Sequence, residues 1–181
     1  MSVLPLVICP DPRLKKTSAP VEKVDDATRK LMDEMLETMY AMKGIGLAAV
    51  QVGVHKRVLV MDLGRGSSRY PDAEDTGKPH PLFIVNPEIV WASEEESPYE
   101  EGCLSFPGQY AEVWRPSQVK VKYLDYWGKE QLLEADGLLA TCIQHEMDHL
   151  NGITFVDYLS SVKRDMIVRK VKKRQRQEAD D

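Results

Sequence analysis

The spacing of apolar positions divides this chain into short strands and a few helices. Leu31, Met32, Met35, Leu36 and Met39 recur at three- and four-residue intervals. That spacing predicts an amphipathic helix beginning after Asp25 or Asp26, either of which can cap it. Gly44 suits its C-terminal cap. Ahead of it, Pro10-Asp11-Pro12 and Ala19-Pro20 predict an extended, turn-rich arm. Residues 57–63 and 82–90 predict strands, the second interrupted at Asn86-Pro87. Residues 119–125 alternate with period two, as a half-buried strand does, and 131–135 return as the hairpin partner. Residues 94–98 read as an acidic turn, 100–108 as a tight irregular segment and 64–81 as a long polar surface loop. Asp136 is placed to cap a helix over about 137–150, ended by Asn151-Gly152. A last helix covers about 160–176, with Val162, Met166, Val168 and Val171 as a modest apolar face.

These elements predict an α+β fold: small antiparallel β-sheets packed around a central helix, with another helix near each end. A length of 181 residues suits one domain, with about 160–181 as its C-terminal helix and tail. Hydrophobic residues at 43% and charged residues at 29% fit an ordinary globular protein. The net charge of −5 argues against a general nucleic-acid binder and against specific DNA recognition. The last helix departs from that average. Lys163, Arg164, Arg169, Lys170, Lys172, Lys173, Arg174 and Arg176 make it strongly basic, which suits either a solvated face or contact with a polyanion. No apolar run is long enough to span a membrane, and the N-terminus lacks the basic start of an export signal. The expected location is cytoplasmic. Cys9, Cys103 and Cys142 are too few for a disulfide framework, and Cys9 reads as a small buried hydrophobe.

The chemistry centres on Gln144-His145-Glu146-Met147-Asp148-His149-Leu150. On a helix, His145 and His149 leave the same face one turn apart and can share a metal ion. Glu146 can serve as general base beside them without being a ligand. A third ligand must come from elsewhere. Cys103, in a glycine-containing turn, is the best candidate; Asp148 is weaker because it points off the His face. Two imidazoles and one thiolate would leave an open fourth position, the pattern of a catalytic site. Residues 44–53 are small, apolar and glycine-punctuated, which permits positive φ and close backbone approach. They lack the Lys and Ser/Thr of a phosphate loop, and Gln51 is their one polar side chain.

Three segments in order carry a resemblance: Gly44-Ile45-Gly46-Leu47-Ala48-Ala49-Val50-Gln51, Glu101-Gly102-Cys103-Leu104-Ser105, and Gln144 through Gly152. Together they resemble peptide deformylases, and the Pro10-Asp11-Pro12-Arg13-Leu14 arm is similar too. The resemblance implies hydrolysis of the formyl group from the N-terminal formyl-methionine of newly made polypeptides. It implies Fe²⁺ held by Cys103, His145 and His149, with Zn²⁺, Ni²⁺ or Co²⁺ able to replace it; softness alone would favour zinc. It implies Glu146 as the base, with Gln51 and the Leu104 N–H stabilising the oxyanion. Ile45, Tyr99, Glu101, Leu138, Cys142 and His145 would surround the methionine side chain, with Gly46 and Gly102 along the peptide. The substrate would lie as an added strand beside Ile45 and Gly46. The basic helix resembles that of a bacterial branch in which it docks on the ribosome. One departure is Tyr110, where some members carry a substrate-contacting arginine. Two other readings compete: a zinc metallopeptidase cleaving peptide bonds, and a non-catalytic metal domain.

Overall fold

The computed structural model describes residues 2–64 and 79–180. Most of the expected 64–81 loop, residues 65–78, lies outside the described residues.

Helix α1 (Asp26–Ala41) begins where Asp25 accepts a hydrogen bond from the Thr28 N–H. Its stripe of Met32, Met35 and Met39 is fully buried. The helix ends differently from expectation: Met42 is the cap, and Lys43, not Gly44, takes the left-handed conformation at φ 57°. Gly44 instead lies against Leu104, whose Cδ1 would be 2.8 Å from a Cβ there and would have to shift.

Five strands form one antiparallel sheet in the order β1-β2-β3-β6-β7: β1 (Gly46–Ala48), β2 (Val58–Met61), β3 (Leu82–Ala92), β6 (Gln118–Leu124) and β7 (Glu130–Asp136). Two more, β4 (Glu96–Cys103) and β5 (Phe106–Pro116), pair as a separate hairpin. The sequence reading of 94–98 as a turn and 100–108 as irregular is corrected here: β4 already starts at Glu96. Its one buried side chain, Glu101, is a carboxylate, so alternation in hydrophobicity never appears. The Asn86-Pro87 interruption is a bulge within β3, where Asn86 at φ 51° exchanges two hydrogen bonds with the Val21 backbone.

Helix α2 (Gly137–Leu150) crosses one face of the large sheet and α1 packs on the other. Along β2, Val58 and Val60 face α1 while Leu59 and Met61 face α2. A strand covered on both sides reads as an unbroken apolar run, which is what residues 58–61 show. Asp136 does occupy the N-cap position of α2, yet its side chain makes no capping bond.

Helix α3 (Ser161–Asp180) lies against β5. Ile167 and Val171 are its buried residues and join Phe106, Val113, Phe155 and Val156 in a third apolar cluster. The expected face included Val162 and Met166, and both are exposed. Helical phase explains the difference: the buried pair is i, i+4 from Ile167, about a quarter turn away from Met166. Among the described residues, no helix is long and apolar enough to cross a membrane.

Candidate active site

The His-bearing helix is almost wholly inside the protein, so its polar residues need internal partners. His145 Nδ1 lies 2.8 Å from Glu101 Oε1. A carboxylate only accepts, so Nδ1 carries the proton and Nε2 is left to face a ligand. His149 Nε2 lies 3.3 Å from Cys103 Sγ. The ligand atoms of Cys103, His145 and His149 all fall within 4.8 Å of one another. Asp148 is turned aside, accepting from Arg115 Nη1 and from the Tyr158 hydroxyl, each at 2.7 Å.

Burial lowers the affinity of His145 for a proton, but the Cys103 sulfur and the Glu101 carboxylate outweigh it and hold the pKa well above the usual value. Burial and the neighbouring His145 push His149 well below it. His149 Nδ1 and Glu146 Oε2 are buried without a hydrogen-bond partner among the described residues. A sulfur and two imidazoles are the donors that divalent transition metals prefer, and the residues fit such an ion.

Glu146 sits one residue along from His145, with Oε1 3.8 Å from His145 Nε2. Burial raises its carboxyl from 4.5 to about 7, the range a general base needs at neutral pH. The β1 backbone closes over it. A Cβ on Gly46 would meet Glu146 Oε1 at 3.0 Å and Cys142 Sγ at 3.1 Å, so a side chain there would press on that carboxylate.

Gln51 is fully buried and points its amide at the site. Its Oε1 accepts from the Ala48 N–H at 2.9 Å, which fixes the amide orientation. Its Nε2 then donates to Ser105 Oγ at 3.1 Å and toward Cys103 Sγ at 3.3 Å.

A cleft of about 630 Å³ opens onto this cluster. Ile45, Gly46, Glu101, Gly102, Cys103, Leu104, Leu138, Cys142, His145 and Glu146 line it, while Gln51 and His149 lie behind its surface. Cys142 stays a neutral thiol because burial, with Glu146 nearby, raises its pKa well above 9.0. Tyr99 lies outside the cleft. It lines a neighbouring depression with Ser97, Pro116 and Gly137, on the same face of β4 as Glu101 but two residues further from the cleft. Cys9 lies behind the site, in the apolar cluster against which Cys103 packs, with its N–H donating to the Ser105 carbonyl at 2.9 Å, and burial pushes its thiol up to about 11.

Arg115, Tyr158 and Ser105 were not foreseen. Arg115 binds Glu101 through two parallel hydrogen bonds, Nε to Oε2 at 2.7 Å and Nη2 to Oε1 at 3.0 Å. Its guanidinium also stacks 4.7 Å from the Tyr158 ring. Burial works against both charges, yet hydrogen bonds from His145 and Arg115 hold Glu101 below its usual pKa, and Glu101 with Asp148 holds Arg115 above its own. Only the 96–116 hairpin, recognised as such, would have turned Arg115 inward beside Glu101.

A family model described as polypeptide deformylase matches residues 3–165. A peptide deformylase of Phenylobacterium zucineum is 55% identical over 173 residues, covering 96% of this chain and 97% of that protein. One from Rhizobium meliloti is 53% identical over 173 residues, covering 96% and 94%. Among solved structures, a peptide deformylase from Ehrlichia chaffeensis superposes with a TM-score of 0.89 at 49% identity, covering 98% of this chain and 99% of that one. A second structure from that organism, in complex with actinonin, gives 0.89 at 51% identity and covers 97% and 99%. Near-complete coverage at this identity leaves no doubt about ancestry: the chain belongs to the polypeptide deformylase family.

Proposed function

We propose that Cys103, His145 and His149 hold one Fe²⁺ ion and that Glu146 is the general base in deformylation of new polypeptides. The family's activity is removal of the formyl group from the N-terminus of nascent chains, and a divalent metal goes with it. The observation that carries the residue assignment is the convergence of one sulfur and two imidazoles beside the buried carboxylate of Glu146 in an open cleft.

The bound ion would act as a Lewis acid on the formyl carbonyl and make water more acidic. The chain's own groups do the rest. Glu146 takes the proton from the attacking water and returns it to the leaving amine. The Gln51 amide and the Leu104 N–H donate to the oxyanion; losing one such donor typically costs about 10²–10³ in rate. Glu101 orients His145, and Arg115 in turn holds Glu101.

The substrate backbone pairs with β1. Among the described residues that strand pairs only with β2, and Ile45 and Gly46 line the cleft. Ile45, Leu138, Cys142 and the His145 ring form the wall for the methionine side chain, and Gly46 and Gly102 admit the peptide. Tyr99 is left outside this wall by its position.

Several wider readings go with this one. Residues 1–181 act as one domain, with the helix and tail from about 160 facing the ribosome in the cytoplasm. The exposed basic side chains of α3 suit ribosomal RNA. Peptide-bond cleavage by a zinc peptidase is not favoured, given relatives above 50% identity that are deformylases.

The test is formate release from a formyl-Met tripeptide by protein purified without oxygen and loaded with Fe²⁺ or Ni²⁺. Formate with the peptide bonds intact is the expected result. Cleaved peptide without formate would overturn the assignment. Metal analysis of protein purified anaerobically from cells decides whether the native ion is Fe²⁺.

A further inference from the structure

The C-terminal helix does more than cover β5, because one of its cations reaches the substrate cleft. Arg174 lines that cleft together with Pro107, Gly108, Tyr110, Ile8 and Lys43. It arrives from the last turns of α3, beyond residue 165 where the family match ends. Its Nη1 occupies the space where a side chain at position 108 would begin, and Gly108, at φ +74°, leaves that space open. A larger residue there would clash with the guanidinium and strain the backbone as well.

The guanidinium is only partly committed. Nε donates to Glu178 Oε1 at 3.2 Å, an i, i+4 pair in which both side chains are about half exposed or more, 51% and 67%. Among the described residues, Nη1 and Nη2 donate no hydrogen bond. Val171, one turn earlier, is fully buried and anchors the backbone from which Arg174 extends. The cleft thus has two electrostatic ends. Its floor carries Glu101, Glu146 and the metal ligands, and its rim carries Arg174 and Lys43.

We propose that Arg174 is a specificity-determining residue that binds a carboxylate on the substrate peptide downstream of formyl-methionine. A planar fork with two free nitrogens matches a carboxylate. Acidic N-terminal sequences are therefore processed faster than basic ones at low substrate concentration. The proposal rests on the deformylase reading and on the cleft as the peptide site.

The test uses the metal-loaded full chain with C-terminally amidated peptides, formyl-Met-Ala-X and formyl-Met-X-Ala, where X is Glu, Gln or Lys. Amidation removes the terminal carboxylate, and one free-acid peptide measures that carboxylate separately. Wild type should favour Glu over Gln by about two- to five-fold in kcat/KM, the range of a solvent-screened pair, and disfavour Lys. The preference should lie in KM and fade as salt is raised. Arg174→Gln should bring the Glu-to-Gln ratio to one, and Arg174→Lys should retain part of it. An Arg174→Gln protein that keeps the ratio, or one that loses the same factor on all three peptides, would overturn the proposal. Wild type that releases no formate even from the Gln amide would instead bring down the deformylase reading itself.

Discussion

Helices α2 and α3 solve opposite problems. Of the 14 residues of α2, 11 are buried, and Gln144, His145 and Asp148 bond to groups inside the protein. Helix α3 is 20 residues long and buries two, Ile167 and Val171. A polar group on α2 cannot reach bulk water, so its neighbours dictate its charge and geometry. Charges on α3 stay hydrated and weakly coupled to one another. The same side-chain types thus carry chemistry in one helix and bulk electrostatics in the other. Burial is what separates them.

If that contrast is right, changes around α2 should be costly and changes on the open face of α3 cheap. The largest effect is expected from Cys103→Ala, which removes the one ligand that does not come from α2. Metal content after dialysis should fall to a small fraction, and turnover by about 10³ or more. Full metal occupancy in that variant would take Cys103 out of the site.

Arg115→Ala should come next. It leaves the buried Glu101 carboxylate with His145 alone and the half-buried Asp148 with Tyr158 alone, which costs about 3–5 kcal/mol in denaturant unfolding. A loss near that of an exposed arginine, within about 0.5 kcal/mol, would show that the buried network holds nothing in place.

Glu146 gives a pH signature in metal-free protein. Its folded pKa of about 7 lies above the ordinary 4.5, so the folded state holds that proton more tightly than the unfolded chain does. The protonated group favours the fold at low pH. That advantage is lost as pH rises from about 4.5 to about 7, where only the unfolded form ionises freely. Glu146→Gln has no such proton to lose. Its stability relative to wild type should climb across this window and level off on the order of 3 kcal/mol higher. A pH-independent difference would mean that Glu146 is not desolvated in solution.

The smallest effect belongs to α3. Replacing the exposed Lys172 and Lys173 by Ala should alter stability by less than about 0.5 kcal/mol. Ribosome affinity should nevertheless drop, with a shallower salt dependence. Unchanged affinity would remove the basic helix from ribosome binding. Truncation at about residue 161 is a poor substitute for this pair, because it also strips Ile167 and Val171 from the cluster around Phe106 and Phe155.

Much of this layout could be read from the sequence, for reasons that differ by element. Both histidines and Glu146 sit within one turn of one helix, so their relation is local and survives without a fold. The α1 stripe and the β6–β7 alternation are also local. The β4–β5 hairpin was hidden because its inward positions include Glu101 and Arg115, and pattern reading sends polar residues outward. The left-handed residue after α1 was misplaced because Lys43 takes a conformation usually left to glycine, while Gly44 lies against Leu104. Arg174 could not be placed at all. Its placement depends on how α3 lies on β5, and the groups that Ile167 and Val171 meet there, Phe106 and Val113 among them, are far away along the chain.

One sample can decide the division of labour in the site: Glu146→Ala purified without oxygen, assayed together for bound metal and for formate release from a formyl-Met tripeptide. One ion per chain with turnover all but abolished is expected, because the ligand set of Cys103, His145 and His149 is complete without the carboxylate. Loss of the ion would make Glu146 a ligand, and near-normal formate release would mean that the base lies elsewhere.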